Sequence, residues 1–159
     1  MKRIAILSCI ATLLGGAVAF AEGGALVPPI TDAATLKECG ACHMAFPPQF
    51  LPARSWEKLM GGLANHFGEN ASLPEATRAA IAAYLTAHAA DAPTTKHGRR
   101  FMRGIATAAT PLRVTQTPFW QDGHSEISPG RFASPAVKTA ANCTACHRDA
   151  AQGAFGEDE

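Results

Sequence analysis

The chain is 159 residues long, with 14 Lys and Arg against 13 Asp and Glu, 47% hydrophobic residues and only 7% aromatic ones. A balance this close to neutral lacks the basic footprint of a nucleic-acid-binding protein. The length holds one modest domain or two very small ones, and very small domains need disulfides, metals or a cofactor to complete a core.

Lys2 and Arg3 precede an apolar stretch from Ile4 to Phe20, and Ala19-Phe20-Ala21 gives the small-x-small pattern of a cleavage site. The pattern predicts a secretory signal peptide over residues 1–21, cut after Ala21, with export to the periplasm. Ser8, Thr12, Gly15 and Gly16 interrupt the stretch, which is short for a bilayer span of about 20 apolar residues. No membrane span is therefore expected after processing. Cleavage also removes Cys9 and leaves Cys39, Cys42, Cys143 and Cys146, with 12 basic residues against 13 acidic ones. The charge then divides along the chain, net −3 from Glu22 to Thr95 and +2 from Lys96 onward. Such polarity can orient a docking partner, although a solvated surface is its commoner origin.

Thr31-Asp32 is a helix-start signal leading through Leu36 to Cys39. Pro47, Pro48 and Pro52 then force a non-helical loop. Ser55 is placed to cap a second helix, on which Trp56, Leu59, Met60, Leu63 and Phe67 follow the i, i+3, i+4, i+7 rule up to a stop at Gly68. Ser72 with Glu75 reads as a capping box opening a third helix, which presents Ile81, Tyr84 and Leu85 and ends near Ala90. A polar connector, Asp91 to Gly98, separates two segments. Pro111, Pro118 and Pro129 predict an extended or irregular course from Leu112 to Arg131. Ser134 and Pro135 predict a last helix running to the Cys143 region.

Cys39-Gly40-Ala41-Cys42-His43 and Cys143-Thr144-Ala145-Cys146-His147 both read Cys-x-x-Cys-His, the attachment signature of c-type haem. Two thiols one turn apart can each form a thioether to one haem vinyl group, and the next residue, His, then lies over the iron as proximal ligand. Four cysteines in an exported chain would otherwise suggest a disulfide framework, and one such motif alone would leave a redox pair or a zinc site open. Two copies, each followed at once by His, point instead to two covalently bound haem c groups.

The sixth ligand separates a carrier from a catalyst, because a strong ligand closes the iron and an open position admits small molecules. His66, His88, His97 and His124, with Met60 and Met102, are available. On the second helix His66 lies in the sector of Leu59 and Leu63 and is the choice for the first haem, with Met60 its rival and more readily core packing. His88 falls in register with Ile81 and Tyr84. For the second haem His124, following Phe119-Trp120, is preferred to His97. His97 sits among Lys96, Arg99, Arg100 and Arg103, a solvated linker or a set of propionate partners.

Leu51-Pro-Ala-Arg-Ser-Trp-Glu-Lys-Leu-Met60, Asn65-His66-Phe67-Gly68-Glu69-Asn70-Ala71 and Leu73-Pro74-Glu75 resemble the proteobacterial dihaem cytochrome c family. Thr117-Pro118-Phe119-Trp120, His124-Ser125-Glu126-Ile127 and Asn142 to His147 resemble it too. Gly123 departs from the pattern, which has a bulkier polar residue there. The resemblance implies a mainly α fold: an N-terminal domain (22–92) similar to small class I cytochromes and a small loop-rich C-terminal haem lobe (93–159). It implies bis-histidine ligation, His43 with His66 and His147 with His124. It further implies an electron carrier passing electrons to a small oxygen-binding monohaem cytochrome, with a membrane cytochrome b as donor. A monomer is expected. The rival expectation is a haem enzyme of peroxidase-like or ligand-binding type with one open iron.

Overall fold

The computed structural model describes residues 25–96 and 98–156. The expected signal peptide (1–21), Cys9, His97 and the acidic tail 157–159 lie outside the described residues. Six helices follow in chain order: α1 (Ala33–Cys39), α2 (Ala53–Gly61), α3 (Glu75–Ala87), α4 (Gly98–Met102), α5 (Pro118–Gly123) and α6 (Pro129–Phe132). Two short strands, β1 (Ala25–Leu26) and β2 (Ala154–Phe155), pair antiparallel and join the two ends of the described chain. The fold is thus mainly helical, and no helix among the described residues is long and apolar enough to cross a membrane.

α1 begins as expected: the Asp32 carboxylate accepts from the Thr35 amide at 2.7 Å. α2 differs. Its N-terminus starts at Ala53, and the carboxylate that meets it comes from the far side of α3, Asp91 accepting from the Ala53 amide at 2.7 Å. Ser55 is a buried residue of the first turn and caps nothing. The helix ends at Gly61, with Gly62 as its C-cap, because two successive glycines cost about 1 kcal/mol each relative to Ala in a helix. His66 and Phe67 consequently lie beyond α2, after a 3-10 turn at Leu63–Asn65. α3 opens at Glu75 behind Pro74 with no side-chain cap, and Glu75 pairs with Arg78 rather than closing a box with Ser72.

The prolines expected to keep Leu112–Arg131 irregular instead start helices. Pro118 and Pro129 each occupy the first turn of a short helix, α5 and α6, where a missing N–H costs nothing. No helix forms from Ser134: residues 134–137 make a turn, and Lys138 at φ 70° ends it. The connector also closes earlier than expected, since Gly98 is the first residue of α4.

Two apolar clusters hold these pieces together. The first packs α2 on α3 through Leu51, Trp56, Met60, Ile81, Leu85 and Ala89. The second contains Val27, Phe50, Ala90 and Phe101, with Phe119 and Phe155 against them, so it draws on both sides of the connector. Val114 touches both clusters. Gly98 lets the chain pass against the segment that follows α3, since a side chain there would run into the Ala90 carbonyl.

Candidate metal centres

Each Cys-x-x-Cys-His motif is brought opposite one further histidine. The His43 and His66 rings lie 6.2 Å apart between centroids, with their planes 20° from parallel. The His147 and His124 rings lie 6.1 Å apart with their planes at 88°. His88 takes no such place: its ring rests on Tyr84 at 4.5 Å at the exposed end of α3. Met60 is a core residue, 4% exposed, packed between α2 and α3.

The first pair is assembled by a turn. His66 and Glu69 bond each other's backbone, His66 N–H to Glu69 O at 2.7 Å and Glu69 N–H to His66 O at 3.2 Å. Between them Phe67 (φ 57°) and Gly68 (φ 104°) both carry positive φ, as a tight turn of the primed type requires. A bulky residue in that region is strained. Phe67 is held there by two contacts, the His66 ring at 4.8 Å and the Arg113 guanidinium 3.8 Å above its ring centre. Such a cation–π contact is worth about 0.5–1 kcal/mol at an exposed site. Burial lowers the His66 pKa, and the nearby charges of His43 and Arg113 lower it further; a neutral imidazole is the form that binds a metal.

Opposite, His43 lies just past the turn 40–42 that ends α1, and its Nδ1 donates to the Met44 carbonyl at 2.7 Å.

The second pair stands on short elements. His124 is the C-cap of α5, its Nδ1 donates to the Trp120 carbonyl at 2.8 Å, and Trp120 stacks on its ring at 4.3 Å and 13°. Trp120 therefore supports the histidine, while Phe119 packs on Phe101 at 4.6 Å in the second cluster. His147 follows the 3-10 turn Cys143–Ala145, and its Nδ1 donates to the Gly156 carbonyl at 2.9 Å. In His43, His124 and His147 the carbonyl fixes the proton on Nδ1 and leaves Nε2 as the free lone pair.

Within each motif the first cysteine is partly buried and the second exposed. Burial raises the Cys39 thiol pKa, with the charges of Glu38 and Asp32 adding to it, and burial pushes Cys143 up to about 11.

The donor set fits haem better than a bare ion. Metal–imidazole bonds of about 2 Å on both sides of one ion place the ring centroids about 6 Å apart, as both pairs have. Among the described residues no three His, Cys, Asp or Glu side chains converge as an all-protein metal cage. Two imidazoles alone leave the remaining positions to a planar ligand. Large exposed apolar side chains suited to lie on such a ligand flank the sites: Leu36 (45% exposed) before Cys39, Phe67 (45%) after His66 and Ile127 (42%) after His124. Sequence reasoning missed Arg113, the Phe67 turn and the Gly156 carbonyl; only the Asn-His-Phe-Gly-Glu-Asn run signalled a turn.

Comparison with known proteins agrees. A family model described as dihaem cytochrome c matches residues 35–155. A dihaem cytochrome c from Rhodobacter sphaeroides has a solved structure 45% identical to this chain, with TM-score 0.74, covering 81% of this chain and all of that one. A second structure, of the protein purified from the same organism, is 42% identical with TM-score 0.66 over 80% of this chain and 99% of that one. The dihaem cytochrome type c of Shewanella baltica is 36% identical with TM-score 0.61 over 77% and 85%. No curated protein matches. The chain belongs to the dihaem cytochrome c family and carries two covalently bound haem c groups, one at each Cys-x-x-Cys-His motif.

Proposed function

We propose that this protein is a periplasmic, low-potential electron carrier in which His43 and His66 ligate one haem iron and His147 and His124 the other. Cys39 and Cys42, and Cys143 and Cys146, are the thioether positions. When bound, haem supplies a one-electron ferric/ferrous couple. Everything else is the work of the chain. The single observation that carries the reading is the facing of two imidazoles at each motif, 6.2 and 6.1 Å apart. An imidazole on both sides closes the iron to small molecules, and two nitrogen donors favour the ferric state more than a His/Met pair does. The Met44, Trp120 and Gly156 carbonyls make three of the four rings stronger donors by polarising their Nδ1–H groups.

The two haem lobes divide near residue 92, with Val27 and Phe50 lent to the second. By family likeness the acceptor is a small oxygen-binding monohaem cytochrome and the donor a membrane cytochrome b. The net −3 and +2 halves give such partners a direction of approach.

Electron paramagnetic resonance of the oxidised protein tests the ligation. Near-parallel rings both act on the same iron d orbital and split the pair widely, so the first centre gives a rhombic low-spin signal. Perpendicular rings act on both orbitals alike, so the second gives a highly anisotropic low-spin signal with one large g value. A high-spin ferric signal, together with binding of carbon monoxide or cyanide, refutes the carrier and favours the peroxidase-like enzyme.

A further inference from the structure

The two ends of the described chain meet beside the second motif. β1 and β2 pair in the register Ala25 with Phe155 and Leu26 with Ala154. The Val27 amide extends the pairing by donating to the Gly153 carbonyl at 2.9 Å, and Arg100 of α4 donates to the Leu26 carbonyl at 2.6 Å. Gly153 sits at φ 87°, and a methyl group added there would run into the Val27 carbonyl oxygen. The clasp is thus closed by backbone contact that only glycine admits.

What the clasp holds is the support of His147. The Gly156 carbonyl that accepts from Nδ1 of His147 follows β2 directly. Phe155, the last residue of β2, lies 5.8 Å from the His147 ring and 4.9 Å from the Phe50 ring. Phe50 in turn packs on Phe101 in the second cluster. Residues 154–156 have no helix of their own to fix them, and two-stranded pairs are marginal unless packed. Their position rests on Ala25 to Val27 and on Phe50.

We propose that the Ala25–Val27 segment is a positioning element for the second haem, clasping β2 so that the Gly156 carbonyl and the Phe155 ring hold the proximal imidazole of His147 in place. This rests on the ligation proposed above. A carbonyl on Nδ1 gives the ring partial imidazolate character and so favours ferric iron. Opening the clasp removes that bias from the second haem and leaves the first, whose ligands stand on the turn after α1 and on the 66–69 turn, as it was.

Gly153→Ala opens the clasp at its tightest contact, and Val27→Pro deletes the amide that bonds the Gly153 carbonyl. Neither touches a ligand. Spectroelectrochemical titration of the holoprotein is expected to show the ferrous-to-ferric ratio of one haem raised about tenfold at fixed ambient potential, a shift of 59 mV for a one-electron couple, with the other haem unmoved. The haem that moves is expected to be the one that turns high spin in His124→Ala. If both potentials stay put in folded variants, or both move together, the inference is wrong. Should neither variant fold, hydrogen exchange in the reduced wild type decides. The His147 ring N–H and the Val27 amide exchange in step if the clasp holds the ring, and independently if it does not. Failure of the ligation reading is seen separately, as a wild-type resonance spectrum without two low-spin bis-histidine signals.

Discussion

Arg113→Gln is expected to lower the potential of the first haem and spare the second. Arg113 lies 3.8 Å above the Phe67 ring centre, Phe67 lies 4.8 Å from the His66 ring, and the His66 and His43 centroids are 6.2 Å apart. Following those steps, the guanidinium charge is at most about 12 Å from the midpoint between the two imidazoles, where an ion with bonds of about 2 Å to each would sit. A unit charge at about 12 Å interacts by about 1.4 kcal/mol at an effective dielectric of about 20 and by about 0.35 kcal/mol at about 80. Arg113 is exposed, so at that separation the value falls between these, toward the lower one at high salt. For a one-electron couple that is a fall of about 15–60 mV at the longest separation the contacts allow, about a two- to tenfold change in the ferrous-to-ferric ratio, and a shorter path enlarges it. Removing a positive charge relieves the more positive, ferric state more than the ferrous one, so the potential falls. The assay is a redox titration at low and high salt that resolves both midpoints. Arg113→Lys keeps the charge and is expected to retain most of the wild-type potential, although it loses the flat stacking surface. A rise in the first potential, an equal fall in both, or a fall in Arg113→Lys as large as in Arg113→Gln refutes the electrostatic reasoning.

His66→Ala should turn one haem high spin with both haems still covalently attached, whereas His88→Ala, whose ring rests on Tyr84, should leave the spectrum unchanged; absorbance and resonance spectra of the purified variants check both. Phe101, 1% exposed and in contact with Phe50 and Phe119, should cost about 3–5 kcal/mol of stability when cut to Ala, read by denaturant unfolding. Asp32 has its carboxyl pKa lowered by its bonds to Thr35, so its support of α1 is complete above the unfolded carboxylate value and fades as pH falls through the lower folded one. Circular dichroism of Asp32→Ala should show the loss at neutral pH, and the gap between it and the wild type should close in acid.

What could be read from the chain without its fold was the chemistry that is local. The attachment motifs are legible because two thioethers and a proximal imidazole must come from five consecutive residues. α1 was legible for the same reason, since Asp32 meets Thr35 three residues on. The helical stripe through Trp56, Leu59 and Met60 was read, but its extension to Phe67 ignored Gly61 and Gly62, where backbone entropy outweighs a favourable pattern. His66 reaches His43 from a turn and not from that helix. Thr117-Pro118, Ser128-Pro129 and Ser134-Pro135 carry the same local signal, yet the first two open helices and the third makes a single turn. Nothing in a Ser-Pro pair tells how far the chain will continue. After Ser134 it must turn back so that the Asn142 side chain can donate to the Val137 carbonyl. The β clasp was out of reach altogether, because two-residue strands have no period and their partners lie at opposite ends of the chain.

The two halves are unequal, and the inequality follows from where the apolar residues fall. Leu51, Trp56, Met60, Ile81, Leu85 and Ala89 all precede the connector, so the first centre stands on a core that its own half supplies, with α2 against a 13-residue α3. The second centre stands on helices of four to six residues, far below the length at which a helix holds without tertiary contacts. Those contacts come from Phe50 and Val27 of the first half and from a strand pair with its opening residues. The second half therefore leans on contacts that the first supplies, and two thioethers at Cys143 and Cys146 tie its haem to a stretch of chain with few buried apolar residues of its own.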